Sequence, residues 1–219
     1  MQIKICGVNT EEAIETAIQQ QVEFLGLVFY SPSPRYIDPE KAAALTNKYK
    51  GQIKFVALFV NPDDEKLERI IPPASFDYIQ LHGCETPERV KEIKEKYGLP
   101  IIKALPIESK KSLQKIPLYF KDVDWFLFDA KPGPNIDKMP GGLGRVFDWT
   151  ILEGYECPKP WMLAGGLGCE NVEEALSILK PAAVDVSSKL EDAPGVKNPA
   201  KIKEFVKIVR NSQVEDCYI

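Results

Sequence analysis

The sequence predicts a single (β/α)8 barrel, the TIM barrel, and three observations carry that prediction. Eight short apolar runs rich in β-forming residues recur along the chain, and most segments between them are patterned as helices. The length of 219 residues suits such a barrel folded as one domain. An open doubly wound sheet is the alternative that the same alternation allows. No shift of composition and no charge run marks a linker. Residues 1–211 are therefore expected to form one domain and residues 212–219 a C-terminal tail.

In chain order the strands are QIKIC, FLGLVF, KFVALFV, DYIQL, PIIKAL, DWFLFD, PWMLAGG and AAVDVSS. A helix starts soon after the first, beyond Cys6 and a glycine. The second connection, DPEKAAALTNKY, has Asp38 as N-cap and Pro39 at the first helical position. The third, NPDDEKLERII, runs into a Pro-Pro pair and is a poorer helix. The fourth, TPERVKEIKEKYG, takes Thr86 as cap and Gly98 as stop, with Val90, Ile93 and Tyr97 on one face. The fifth, ESKKSLQKIP, is short. The sixth differs in kind: the Gly/Pro-rich AKPGPNIDKMPGGLGR follows Asp129, a length typical of lids, before FDWTIL as a stunted helix. CENVEEALSILKP places Val172, Ala175, Leu176 and Leu179 together. NPAKIKEFVKIVRN, capped by Asn198 and Pro199, spaces Ile202, Phe205, Val206 and Val209 as a helix does.

A net charge of -4 and an isoelectric point near 5.3 offer no general attraction to nucleic acid or acidic membrane, so an anionic ligand needs a local site. The N-terminus does not read as a signal peptide and no apolar stretch approaches the ~20 residues of a membrane helix, so a cytoplasmic protein is expected. Five cysteines without a C-x-x-C pair, and a single histidine, argue for reduced thiols and against a disulfide framework or structural metal.

In this fold the side chains at the C-terminal ends of the strands form the active face. Those positions hold Cys6, Arg35, His82, Asp129, the pair Gly165 and Gly166, and Asp185, Ser187 and Ser188. Cys6 is either an inert core thiol or a reactive one, made so by a nearby cation or helix N-terminus. Asp129 either caps the loop that follows it or, if burial keeps it protonated, serves as acid to Cys6 as base. Arg35 in SPSPRYID is either solvated or a guanidinium stiffened by two prolines for bidentate capture of a carboxylate. Gly165, Gly166, the helix N-terminus after them, Ser187 and Ser188 together describe a phosphate cradle, an ordinary tight turn being the plainer alternative. His82 is either a structural histidine or a ligand contact.

KICG, LVFYSPSPRYI, FVALFVN, IQLHG, LFDAK, GGLGRVFDW, LAGGL and VDVSS, in this order across essentially the whole chain, resemble the phosphoribosylanthranilate isomerases of tryptophan biosynthesis. The resemblance implies a ribulose-phosphate-binding barrel that performs an Amadori rearrangement with no metal and no organic cofactor. It implies that Cys6 removes the C2' proton of the sugar and Asp129 protonates the ring oxygen. Arg35 would then hold the anthranilate carboxylate, His82 and Asp185 would contact the ligand, and Gly165, Gly166, Ser187 and Ser188 would bind phosphate. Its partners would be a small phosphorylated substrate and, at most, a second copy of the chain, with no nucleic acid or membrane. A phosphate-binding barrel without catalysis is the competing class. Three positions depart from the family: Leu143 replaces a Thr or Ser, Lys189 a Gly, and Asn198 ends GVKN where an Asp is usual. Lys189 predicts local strain where a glycine suits the backbone, and either an ammonium reaching the phosphate or one turned to solvent.

Overall fold

A computed structural model of the chain describes residues 1–130 and 146–212. The stretch expected as a lid, with Leu143, lies outside the described residues, as does the tail from residue 213 onward with Cys217. Eight parallel strands close into one barrel: β1 (Gln2–Cys6), β2 (Phe24–Val28), β3 (Lys54–Phe59), β4 (Tyr78–Leu81), β5 (Ile101–Ile107), β6 (Trp125–Ala130), β7 (Trp161–Leu163) and β8 (Ala183–Val186). Each pairs with the next in sequence, and β8 returns to β1 with Lys4 beside Asp185. This closure excludes the open sheet.

The helices are α1 (Glu11–Gln19), α2 (Pro39–Lys48), α3 (Asp64–Ile70), α4 (Pro87–Tyr97), α5 (Val172–Ile178) and α6 (Pro199–Asn211). The expected caps form. Asp38 accepts from the N–H groups of Glu40 and Lys41, Thr86 from Arg89, and Asn198 from Ala200 and Lys201, each worth about 1 kcal/mol. Gly98 ends α4 in the left-handed region at φ 65°. Of the connections expected to be poor or stunted helices, the third forms α3, capped by Asp63, while the fifth and sixth become 3-10 turns, Lys110–Tyr119 with Pro117 inside it and Trp149–Leu152. Pro117 lacks the N–H that a continuing α-helix would use at that position.

Strand residues alternate between two apolar layers. Ile3 and Ile5 of β1 and Val184 and Val186 of β8 pack outward with Ile14, Ala17 and Val209 of the helices. Inside the barrel, Phe24, Val56, Ile102, Leu127, Met162 and Ala183 fill the end away from the strand C-termini. Burial on both faces explains why the strands read as continuous apolar runs. The opposite period of β1 sends Lys4 and Cys6 inward.

One feature was not anticipated. After β8, a 3-10 turn (Ser188–Leu190) leads into an antiparallel hairpin of β9 (Glu191–Ala193) and β10 (Val196–Lys197). Its turn residue Gly195 has φ 85°, and a Cβ there would collide with the carbonyl oxygen of Pro34. The hairpin therefore lies directly against the loop that carries Arg35. No helix among the described residues is long and apolar enough to cross a membrane.

Candidate active site

Cys6 ends β1, buried against Val28 and Leu58, with its carbonyl accepting from the Ser187 hydroxyl at 2.9 Å. Two residues earlier on the same face, the fully buried Lys4 places its ammonium 2.7 Å from Asp185 Oδ1. Burial opposes the Lys4 charge, but Asp185 and Cys6 outweigh it and hold the ammonium above its ordinary value. The same burial pushes Asp185 up, against the pull of the Lys4 ammonium beside it. Burial and the Asp185 carboxylate push the Cys6 thiol up, and although Lys4, Lys197 and Arg35 pull it down it stays above its ordinary value.

Asp129, the penultimate residue of β6, is fixed at both oxygens. Oδ1 accepts from the Ala130 N–H at 2.7 Å, and Oδ2 lies 3.2 Å from His82 Nε2. The other ring nitrogen of His82, Nδ1, sits 2.9 Å from the Gln80 amide nitrogen. An amide N–H can only donate, so Nδ1 accepts and the ring hydrogen lies on Nε2, toward Asp129. Beneath this histidine, Glu85 receives the N–H groups of Asn61 and Gly83 and pairs with the buried Lys103 at 3.0 Å. That pair ties the loops after β3 and β4 together and steadies the end of β4.

Arg35 is also buried, and its partner is internal. Nε and Nη2 donate to the two oxygens of Glu191 at 2.7 and 2.8 Å, a parallel pair of charge-assisted bonds. Glu191 also pairs with Lys197 at 2.6 Å, and Lys197 donates to the Ser187 carbonyl at 3.0 Å. The fork expected to face a ligand thus gives its Nε/Nη2 edge to Glu191. Gly7 makes room for this arrangement: it has φ 78°, and a Cβ there would stand 2.5 Å from Arg35 Cδ.

The segment expected as a phosphate cradle departs from the sequence reading in where its helix begins. Gly165 and Gly166 take φ 88° and 65°. A Cβ on Gly165 would lie 2.8 Å from the Ala130 nitrogen and 3.0 Å from Asp129 Oδ1, so this glycine lets the loop press against Asp129. Asn171 pins the loop, donating to the Gly166 carbonyl at 3.1 Å and accepting from the Gly168 N–H at 2.9 Å. The helix α5 begins only after Asn171 and has 7 residues, so its N-terminus does not follow the glycines directly. Ser187 and Ser188 stand half-buried at the end of β8. Lys189 lies in the 3-10 turn, and among the described residues only Gln21 and Asn61 are non-glycines with positive φ. The strain expected at Lys189 is therefore absent, and its ammonium meets Glu170 at 2.5 Å.

The barrel thus brings Cys6, Arg35, His82, Asp129, Asp185, the two glycines and the two serines to one rim. Sequence reasoning passed over Lys4, Glu191 and Lys197. Lys4 carried a usable signal, since residues two apart on a strand share a face. Among the described residues no cluster of His, Cys, Asp and Glu could hold a metal ion.

Residues 3–208 match the sequence family described as N-(5'phosphoribosyl)anthranilate (PRA) isomerase. The chain is 45% identical over 213 residues to the N-(5'-phosphoribosyl)anthranilate isomerase of Paramagnetospirillum magneticum, covering 97% of this chain and 99% of that one. It is also 45% identical over 212 residues to that of Rhodospirillum rubrum, covering 95% and 97%. Among solved structures, the phosphoribosyl anthranilate isomerase of Thermotoga maritima superposes with a TM-score of 0.85 at 31% identity, over 96% of this chain and 99% of that one. A second solved phosphoribosyl anthranilate isomerase, bound to reduced 1-(o-carboxyphenylamino)-1-deoxyribulose 5-phosphate, gives 0.82 at 30% identity over the same shares. With agreement across nearly the full length in sequence and in fold, the chain belongs to the N-(5'-phosphoribosyl)anthranilate isomerase family.

Proposed function

We propose that Cys6 and Asp129 are the base and acid of the isomerisation after which this family is named. The reaction converts N-(5'-phosphoribosyl)anthranilate to 1-(2-carboxyphenylamino)-1-deoxyribulose 5-phosphate, a step of tryptophan biosynthesis. Asp129 gives a proton to the furanose oxygen, the ring opens, and the resulting iminium acidifies the proton on C2'. Cys6 removes that proton, and the enolamine relaxes to the ketone. Each such transfer contributes about 10²–10⁴-fold to the rate. Asp129 must hold a proton before the ring opens, and His82 Nε2 is its neighbour at 3.2 Å.

The order of groups around the rim supports this reading most directly. Gly165 and Gly166 follow β7, Ser187 and Ser188 follow β8, Cys6 ends β1 and Arg35 follows β2. A ligand with phosphate at the first two and carboxylate at Arg35 lays its sugar across Cys6. Asp129, two strands beyond β8 on the other side, reaches the same sugar from the opposite direction. The relative solved with a reduced carboxyphenylamino-deoxyribulose phosphate carries a ligand with these same two ends.

Freshly made phosphoribosylanthranilate supplied to the protein should be consumed well above a buffer blank. Cys6→Ala and Asp129→Asn should each lower kcat by about 10²–10⁴-fold. Turnover within about threefold of the parent in either variant would remove that residue from its role.

A further inference from the structure

We propose that Lys4 is a positioning residue that keeps Cys6 available as a thiolate, its buried ammonium standing beside the sulfur over the gap left by Gly26. The inference rests on the reading of Cys6 as the base. A base must be deprotonated when substrate arrives, yet burial with Val28 and Leu58 favours the neutral thiol. Something close by has to compensate.

Lys4 is the group placed to do so. Gly26 pairs with Cys6 in the β1–β2 register, and a Cβ built on Gly26 would lie 2.9 Å from Cys6 Sγ and 3.2 Å from Lys4 Nζ. Sulfur and ammonium are therefore at most about 6 Å apart, within the range where an opposite charge favours ionisation. The same measurement explains the glycine: its φ is not in the left-handed region, so Gly26 is required by space and not by backbone conformation. Any side chain there would push between the cation and the thiol.

The charges facing Cys6 come from every element around it. Lys4 lies on its own strand, Asp185 on β8, Lys197 on β10 and Arg35 in the loop after β2. Glu191 pairs with both Arg35 and Lys197. Three basic side chains thus face two acidic ones, so the surroundings of Cys6 attract a negative charge on balance. Asp185 holds Lys4 in place at 2.7 Å, and its own carboxylate opposes the thiolate, so the ammonium must be the stronger influence for the arrangement to serve a base. Lys4 stays protonated throughout. The proton leaving Cys6 goes to solvent before binding, and the thiolate becomes a thiol again on taking the C2' proton.

The test is a titration of the thiol itself. Thiolate absorbance near 240 nm, recorded as the difference between each protein and its own Cys6→Ala counterpart, isolates Cys6 from the other cysteines. In Lys4→Met the ionisation midpoint should rise by about 1–2 pH units, and the low-pH limb of kcat/KM should shift by the same amount. At pH 7 that shift lowers kcat/KM by about 10–100-fold. Lys4→Arg, which restores a cation, should recover most of the midpoint. If Lys4→Met leaves Asp185 unpaired and does not fold, Lys4→Met with Asp185→Asn, compared with Asp185→Asn alone, answers the same question. A midpoint within about 0.3 units of its comparator, with activity lost all the same, would reduce Lys4 to a structural residue and overturn the proposal. Failure of the base reading would show separately, as turnover surviving in Cys6→Ala.

Discussion

Replacing Glu191 by glutamine removes one negative charge from between two buried cations and leaves the shape of the side chain almost unchanged. The side chain of Glu191 is 4% exposed, Arg35 is 7% and Lys197 is 1% exposed, and the three bonds joining them span 2.6–2.8 Å. Taking one partner from a buried pair costs about 3–5 kcal/mol, because the remaining charge loses its counterion but stays out of water. Glutamine keeps one acceptor oxygen, so about 2–3 kcal/mol is the reasonable expectation. For a chain of this size that lowers Tm by about 5–10 °C. KM should rise about tenfold as Arg35 loses its fixed orientation, equivalent to about 1.4 kcal/mol of binding. Burial works against the Glu191 charge, but Arg35 and Lys197 overcome it and hold the carboxyl below its ordinary value of 4.5. A carboxyl lowered on folding stabilises fully above its unfolded value, and that contribution fades as pH falls through the lower folded value. Thermal unfolding of parent and variant should therefore show a full gap between pH 6 and 7 that narrows below about pH 4.5. A Tm within about 1 °C of the parent at pH 7, or a gap unchanged down to about pH 3.5, would refute this reasoning.

Gly165→Ala should lower kcat at least tenfold and Tm by several degrees, because the new Cβ meets the Ala130 nitrogen at 2.8 Å and Asp129 Oδ1 at 3.0 Å from a backbone at φ 88°. An unchanged kcat would mean that this contact does not hold the acid in place. Arg35→Lys keeps the charge but loses the two parallel bonds to Glu191, so KM should rise and Tm fall together. A KM equal to the parent's, with binding at equilibrium, would remove Arg35 from the ligand. Lys189→Gly breaks only a pair exposed at 40% and 54%, worth at most about 1 kcal/mol. Its Kd for a phosphorylated product analogue should stay within about threefold of the parent's, and a tenfold loss would return Lys189 to the phosphate.

The barrel was legible in the sequence because each of its signals is local. A strand buried on both faces is a continuous apolar run, and caps such as Asp38, Thr86 and Asn198 announce helix starts within three residues. The candidate acid and base were legible because the fold turns strand ends into site positions. What escaped was non-local. Arg35 looked free in SPSPRYID because its partner lies 156 positions away, on a hairpin whose strands have 3 and 2 residues and so show no period. Lys189 looked strained because the family resemblance implied a glycine there, whereas a 3-10 turn accepts any residue. Lys4 was visible in KIC but reads as an ordinary polar strand residue until Asp185 and Gly26 are brought beside it.

His82 is the only histidine in the chain, and it stands between Gln80 and Asp129. A sample carrying nitrogen-15 in its imidazole rings therefore gives the nuclear magnetic resonance signals of one ring and no other. The Gln80 amide holds one of its nitrogens as an acceptor, and the second stands 3.2 Å from the Asp129 carboxyl, so the pair of chemical shifts reports on the surroundings of that carboxyl. The protein carries its own spectroscopic probe beside Asp129, readable with every side chain of the rim intact and before any substrate is added.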